Sequence, residues 1–133
     1  MATKVLDAYA VMAFFEDEPG ADVVRGLILK AEERDVTLLM SVVNLGEVWY
    51  SIARTNSTEI ADQYVDEIKG MAIEIVDVDW QSARQAASFK VKGNISYADC
   101  YAAALARIRK AELITGDKEY ELLKGDIKIA WID

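Results

Sequence analysis

The chain has 133 residues, a length that suits one domain with a buried core. It contains no histidine and a single cysteine, which excludes histidine-based catalysis, Cys/His zinc sites and an internal disulfide. The formal net charge of −8 means that affinity for a polyanion must come from local basic clusters. No apolar run is long enough to span a bilayer, so we expect a cytoplasmic protein with no membrane partner.

The first half of the chain alternates short apolar runs with amphipathic segments. The helix that begins at Ala21, for example, carries one apolar stripe, made of Val23, Val24, Leu27, Ile28 and Ala31. In chain order the patterns predict a strand at 4–6, helices at 9–15 and 21–35, a strand at 37–40, and helices at 43–55 and 58–71.

The second half continues the same alternation. The predicted elements are a strand at 73–76, helices at 79–90 and 97–110, a strand at 112–115, a short helix from 118, and a strand at 127–131. Strands separated by helices are typical of βαβ crossovers, so we predict an α/β fold with a central, mainly parallel sheet and helices on both faces. No linker or repeat interrupts the pattern, which indicates one domain over residues 1–133.

Four acidic residues lie at or beside the edge where the predicted parallel strands end. Asp7 follows the first strand, Asp117 follows the fourth, and both positions belong to the crevice edge of such a sheet. Glu47 and Asp99 lie in the first turns of helices that begin at or near that edge. Each acid taken singly is also explained as a helix cap, so their convergence is what points to a site.

Carboxylates that converge in this way repel one another unless a cation neutralises them. Oxygen ligands select a hard ion, so we expect Asp7, Asp99 and Asp117 to hold Mg²⁺ or Mn²⁺. Glu47 is assigned to a second ion or to the attacking water, and Thr115 to steadying Asp117 or a water on the metal. Such a site hydrolyses phosphodiesters without histidine.

Two further features bear on this hypothesis. Asn44 precedes Glu47 by one helical turn, where its amide either caps the helix or supports the Glu47 carboxylate. In residues 84–118 lysine and arginine outnumber aspartate and glutamate, which permits RNA binding there; we assign Lys90 and Lys92 to it.

At these residues the sequence resembles the PIN-domain family, and in particular the VapC toxins of toxin–antitoxin pairs. The resemblance covers nearly the whole chain. Its blocks are Val5–Ala10, Ser41–Arg54, Ser96–Asp99, and Leu113–Asp117 followed by Tyr120.

The resemblance implies a three-layer αβα sandwich, an Mg²⁺- or Mn²⁺-dependent endoribonuclease, a homodimer and an antitoxin partner. The family's site residues map onto Asp7, Glu47, Asp99, Asp117 and Thr115. Many members have Ser, Thr or Asn where this chain has Ala8, so one polar group near the metal is missing. Glu119 stands where some relatives carry an extra acid, although an exposed glutamate at a helix start is the simpler interpretation.

Three alternatives stay open at this point. A PIN-domain nuclease can process RNA without acting as a toxin, and a PIN fold can serve as an interaction module without catalysis. A phosphoacceptor receiver module is also a doubly wound sheet with Mg²⁺ held by aspartates, but it requires an acidic pair after the first strand, where this chain has only Asp7. The sequence does not specify which RNA is cleaved.

Overall fold

The computed structural model describes all residues from Met1 to Asp133. Five strands alternate with six α-helices, and a 3₁₀-helix lies between the last two strands. In chain order they are β1 (Ala2–Leu6), α1 (Ala8–Phe15), α2 (Ala21–Glu32), β2 (Val36–Ser41), α3 (Val42–Thr55), α4 (Thr58–Gly70), β3 (Ile73–Val76), α5 (Trp80–Lys90), α6 (Tyr97–Ile108), β4 (Glu112–Thr115), the 3₁₀-helix (Lys118–Leu123) and β5 (Lys128–Trp131).

The strands form one sheet in the order β3-β2-β1-β4-β5, and every neighbouring pair is parallel. The predicted mainly parallel sheet is therefore confirmed. β1 is central, and its Val5 pairs with Leu39 of β2 on one side and Leu113 of β4 on the other. The chain runs from β1 outwards to β3, then returns and continues outwards through β4 and β5. The direction in which successive strands are added to the sheet therefore reverses between β1 and β4.

Helices cover both faces of the sheet, which confirms the three-layer αβα architecture. Successive strand residues point to opposite faces, so Leu6 and Ile114 pack against α1 to α4, whereas Val5 and Leu113 pack against α5, α6 and the 3₁₀-helix. Each face has its own cluster of buried apolar side chains. No helix is both long enough and apolar enough to cross a membrane.

Several predicted helix ends are too long, and the backbone shows why. The predicted helix at 21–35 ends at Glu32, because Arg34 adopts a left-handed conformation with φ of 64°. The predicted helix at 97–110 ends at Ile108, where Lys110 has φ of 53° and Ala111 N donates to Ala106 O. Both ends lack the glycine that usually signals such a cap.

The turn between α1 and α2 depends on a glycine. Gly20 has a φ of 97°, a conformation that residues with a Cβ rarely adopt. A Cβ at this position would also lie 2.6 Å from Ile132 Cγ1. Gly20 therefore permits the close approach between this turn and the segment that follows β5.

Candidate active site

The acidic residues lie at the point where the strand order reverses. Asp7 follows β1 and Asp117 follows β4, and these strands are neighbours in the sheet. In doubly wound sheets the crevice beyond the carboxyl ends of two such strands is the usual binding site. The sheet topology thus places both aspartates at the mouth of this crevice.

Asp7 is almost completely buried, with 1% of its surface exposed. Its Oδ1 accepts a hydrogen bond from Ala10 N at 2.8 Å, so it caps α1. Its Oδ2 accepts from Thr115 Oγ1 at 2.5 Å. Thr115 Oγ1 in turn accepts from Asp117 N at 3.0 Å. The predicted contact between Thr115 and Asp117 is present, through the Asp117 backbone, whereas the contact with the Asp7 carboxylate was not predicted.

Asp99 lies in the first turn of α6 and is 8% exposed. Ser96 caps the helix by accepting from Asp99 N at 3.1 Å. Tyr120 OH donates to Asp99 Oδ1 at 3.1 Å, and Tyr120 is fully buried. The sequence analysis did not identify Tyr120 as a site residue, because its hydroxyl reaches Asp99 only in the folded chain.

Glu47 is half-buried and lies one turn after Asn44 on α3. Asn44 Nδ2 donates to Glu47 Oε1 at 2.8 Å and to Ala98 O at 3.1 Å, so it orients the glutamate and ties α3 to α6. The capping interpretation of Asn44 is wrong, because Ser41 caps α3 by accepting from Val43 N. Asn44 Oδ1 is buried and has no hydrogen-bond partner.

The pKa values of these carboxyl groups show that they share one environment. Burial is the main cause that raises the pKa of Asp7 to about 7. The hydrogen bonds from Thr115 and Ala10 lower this pKa, and repulsion from Asp99 and Asp117 raises it further. For Asp99, burial and then repulsion from Asp117 and Glu47 raise the pKa to about 7. Burial, followed by repulsion from Asp117, also raises the pKa of Glu47. Asp99 and Asp117 thus lie within electrostatic reach of each other and of both Asp7 and Glu47.

Three acidic side chains lie close enough together to hold one ion, and two of them belong to the four predicted acids. Carboxylate oxygens of Asp99, Asp117 and Glu119 all lie within 4.8 Å of one another. Asp117 Oδ1 also accepts from Glu119 N at 3.0 Å, which fixes the start of the 3₁₀-helix. An all-oxygen donor set whose charges repel fits Mg²⁺ or Mn²⁺. Glu119, for which an exposed glutamate was the simpler interpretation, belongs to this group by position.

The two lysines that the sequence analysis assigned to RNA binding make contacts within the protein. Lys90 Nζ donates to Ile95 O at 2.6 Å, and Lys92 Nζ lies 2.7 Å from Asp126 Oδ2. A third basic residue, Lys118, is the sequence neighbour of a site residue. Lys118, directly after Asp117, places its Nζ 4.4 Å from the centre of the Trp131 ring.

The fold and the site define a class of protein: a doubly wound α/β domain with a cluster of acidic side chains in its crevice. Residues 4–125 match the PIN domain family model, so the chain belongs to the PIN-domain family, as the resemblance predicted. No curated protein sequence matches the chain.

Solved structures with the same fold come from VapBC complexes and a VapC toxin. DNA-bound VapBC from Salmonella typhimurium matches with a TM-score of 0.78 and 18% identity over 100% of both chains. VapBC2 from Rickettsia felis, bound to a promoter DNA fragment, matches with a TM-score of 0.75 and 16% identity over 96% of this chain and 97% of the other. A Sarcin-Ricin loop cleaving VapC toxin from Mycobacterium tuberculosis matches with a TM-score of 0.69 and 13% identity over 95% and 96%.

The strand order also removes the receiver-module alternative. Receiver modules have the order 2-1-3-4-5, with the first strand between the second and the third. Here β1 lies between β2 and β4, and β3 is at the edge. The two folds therefore differ in topology as well as in their acidic residues.

Proposed function

We propose that this protein, as a single PIN domain over residues 1–133, is a metal-dependent endoribonuclease that hydrolyses RNA phosphodiester bonds. The observation that carries the proposal is the convergence of Asp7, Glu47, Asp99 and Asp117 at the reversal point of the sheet, with the pKa of two of them raised to about 7. Buried carboxylates that repel one another in this way are typical of sites that require a cation.

We assign the cation, Mg²⁺ or Mn²⁺, to Asp99 and Asp117, with Glu119 in the same close group, and place Asp7 and Glu47 beside it. When bound, such an ion neutralises charge on a phosphate and makes a water more acidic. Thr115 holds one oxygen of Asp7 and so fixes its orientation. Asn44 occupies Glu47 Oε1, which leaves Oε2 to orient the attacking water and to accept its proton.

We further propose that the protein is the toxin of a VapBC-type pair, with a cognate antitoxin as partner and a homodimer as its assembly in the cytoplasm. Support comes from the structures of the same fold, among them a toxin–antitoxin complex from Klebsiella pneumoniae with 14% identity and a TM-score of 0.69. A second indication is the apolar surface. Hydrophobic residues make up 53% of the chain, and Val23 and Leu29 are about half exposed on α2.

The nuclease proposal is tested with purified protein and single-stranded RNA in Mg²⁺, in Mn²⁺ and in EDTA. Wild type is expected to cleave only with a metal, and Asp7→Asn or Asp99→Asn is expected to abolish cleavage while the circular dichroism spectrum is unchanged. Asp79→Asn is the matched control, because Asp79 also stands at a helix start but is exposed. If wild type cuts no RNA with either metal, the proposal is wrong.

The toxin proposal is tested separately by expression in bacteria. Wild type is expected to arrest growth, Asp99→Asn is expected to be harmless, and a small protein encoded beside the gene is expected to restore growth. Metal-dependent cleavage in vitro together with harmless expression would instead support an RNA-processing nuclease without a toxin role.

A further inference from the structure

An exposed tyrosine lies at the rim of the acidic site. Tyr9 is in the first turn of α1, two residues after Asp7, and 40% of its surface is exposed. Its ring packs against Gly116, the residue before Asp117, so closely that a Cβ there would lie 2.3 Å from Tyr9 Cε1. The missing side chain at Gly116 therefore lets the Tyr9 ring lie against the backbone of the residue that precedes Asp117.

The hydroxyl end of this ring is anchored. Tyr9 OH donates to Asp133 Oδ2 at 3.2 Å, and the Asp133 carbonyl accepts from Lys118 Nζ at 3.3 Å. Lys118 is itself held over the Trp131 ring. Tyr9 is thus restrained at both ends, by α1 and by Asp133, while part of its ring is open to solvent. Because the ring is already ordered, less conformational entropy is lost when a ligand binds to it than when a ligand binds to a mobile side chain.

The charges around Tyr9 indicate which part of a nucleotide fits there. The phenol of a tyrosine is neutral near pH 7, and the carboxylates of Asp133, Glu18 and Asp117 lie within electrostatic reach of Tyr9. A phosphate placed against this ring would be repelled by these three carboxylates, although Lys118 Nζ donates to Asp133 O nearby. An uncharged planar group meets no such penalty and gains contact area with the ring.

We infer that Tyr9 forms a stacking subsite for one nucleobase of a single-stranded RNA, beside the acidic site that acts on its phosphate. Bases of single-stranded RNA are commonly bound by stacking on aromatic side chains, and this contact tolerates any base. The inference rests on the proposed ribonuclease function and adds to it a positioning residue, Tyr9, on which one base of the substrate stacks. Tyr9 is then a substrate-positioning residue, with no part in holding the metal.

The test measures RNA binding with Ca²⁺ in place of Mg²⁺, by fluorescence anisotropy of a short labelled oligoadenylate and of a ribose-phosphate oligomer of the same length without bases. Tyr9→Ala is expected to weaken binding of oligoadenylate roughly 5- to 100-fold, the usual range for one stacked base. Binding of the abasic oligomer is expected to be unchanged. Tyr9→Phe keeps the ring and is expected to keep the affinity although it loses the bond to Asp133.

Two controls separate stacking from a structural effect. Tyr9→Leu keeps an apolar side chain over Gly116 and is expected to lose oligoadenylate affinity as Tyr9→Ala does, which covers the case in which the alanine variant unfolds. Trp80→Ala removes a ring that is 75% exposed and contacts none of the acids, and it is expected to bind as wild type does.

The inference is overturned if Tyr9→Leu binds oligoadenylate as tightly as wild type, or if the abasic oligomer loses affinity equally. An equal loss in Trp80→Ala would also overturn it, because the effect would then be that of any exposed aromatic ring. These results differ from failure of the proposed function, in which wild type itself neither binds nor cleaves RNA.

Discussion

Replacing Asp99 by asparagine should make the metal-free protein more stable. The folded chain binds a proton at Asp99 more tightly than the unfolded chain does, because burial and repulsion from Asp117 and Glu47 raise its pKa from 3.8 to about 7. The stability that this group contributes is present at low pH and is lost as the pH rises from about 4 to about 7. Asparagine keeps the hydrogen bond from Tyr120 and never ionises, so the variant avoids this loss.

The size of the effect follows from the pKa. A rise from 3.8 to about 7 is worth at most about 4 kcal/mol at about 1.4 kcal/mol per pKa unit. Water entry and side-chain relaxation reduce the penalty, so we expect Asp99→Asn to raise the free energy of unfolding by about 1–3 kcal/mol at about pH 8. That corresponds to an increase in melting temperature of about 3–10 °C.

The assay is thermal unfolding by circular dichroism in EDTA at about pH 8 and about pH 5.5, where the advantage of the variant should fall by about half. Saturating Mg²⁺ at the higher pH should stabilise wild type more than the variant. Asp79→Asn is the control, because Asp79 is exposed and its pKa is lowered by its hydrogen bonds with Ser82. If Asp99→Asn melts at or below the wild-type temperature in EDTA at the higher pH, the electrostatic reasoning is wrong.

Three more substitutions follow from single contacts. Thr115→Val removes the hydroxyl that holds Asp7, so cleavage should fall about 10- to 100-fold and require more Mg²⁺, measured as rate against metal concentration. Tyr120→Phe removes one hydrogen bond to Asp99, so the Mg²⁺ concentration for half-maximal cleavage should rise, while urea unfolding should show a stability loss of only about 1 kcal/mol. Gly20→Ala should destabilise the fold by about 2 kcal/mol in urea, because its φ is 97°, and should leave the cleavage rate of the folded protein unchanged.

Each of these three expectations has a clear contrary result. An unchanged Mg²⁺ dependence in Thr115→Val would mean that the Asp7 orientation does not matter for the metal. A loss of several kcal/mol in Tyr120→Phe would show a structural role for the hydroxyl, and a stable Gly20→Ala would show that the turn relaxes easily.

Much of the fold could be predicted from local patterns. Every predicted strand and helix exists, because the apolar periods of the sequence report which face each element buries. Helix ends were predicted less well. Glu33 to Asp35 continue a helical pattern, and only the folded backbone reveals that Arg34 turns out of the helix.

The placement of the acids and the support of Glu47 by Asn44 could be predicted, whereas the supports from distant parts of the chain could not. Asp7 and Asp117 could be placed because strand ends in a parallel sheet share one edge. The bonds from Thr115 to Asp7 and from Tyr120 to Asp99 join residues 108 and 21 positions apart, and no local pattern encodes such contacts. Side-chain contacts of this kind depend on the register of β1 against β4 and on the path of the 3₁₀-helix.

Calorimetric titration of the metal-free protein with Mn²⁺ tests most directly whether the acids form a cation site. At about pH 7, where Asp7 and Asp99 are partly protonated, wild type should bind Mn²⁺ saturably and release protons, seen as a binding enthalpy that depends on the buffer. Asp99→Asn should bind at least about tenfold more weakly and release fewer protons. Mn²⁺ binding that is absent from wild type, or identical in Asp99→Asn, would contradict a metal site at this crevice.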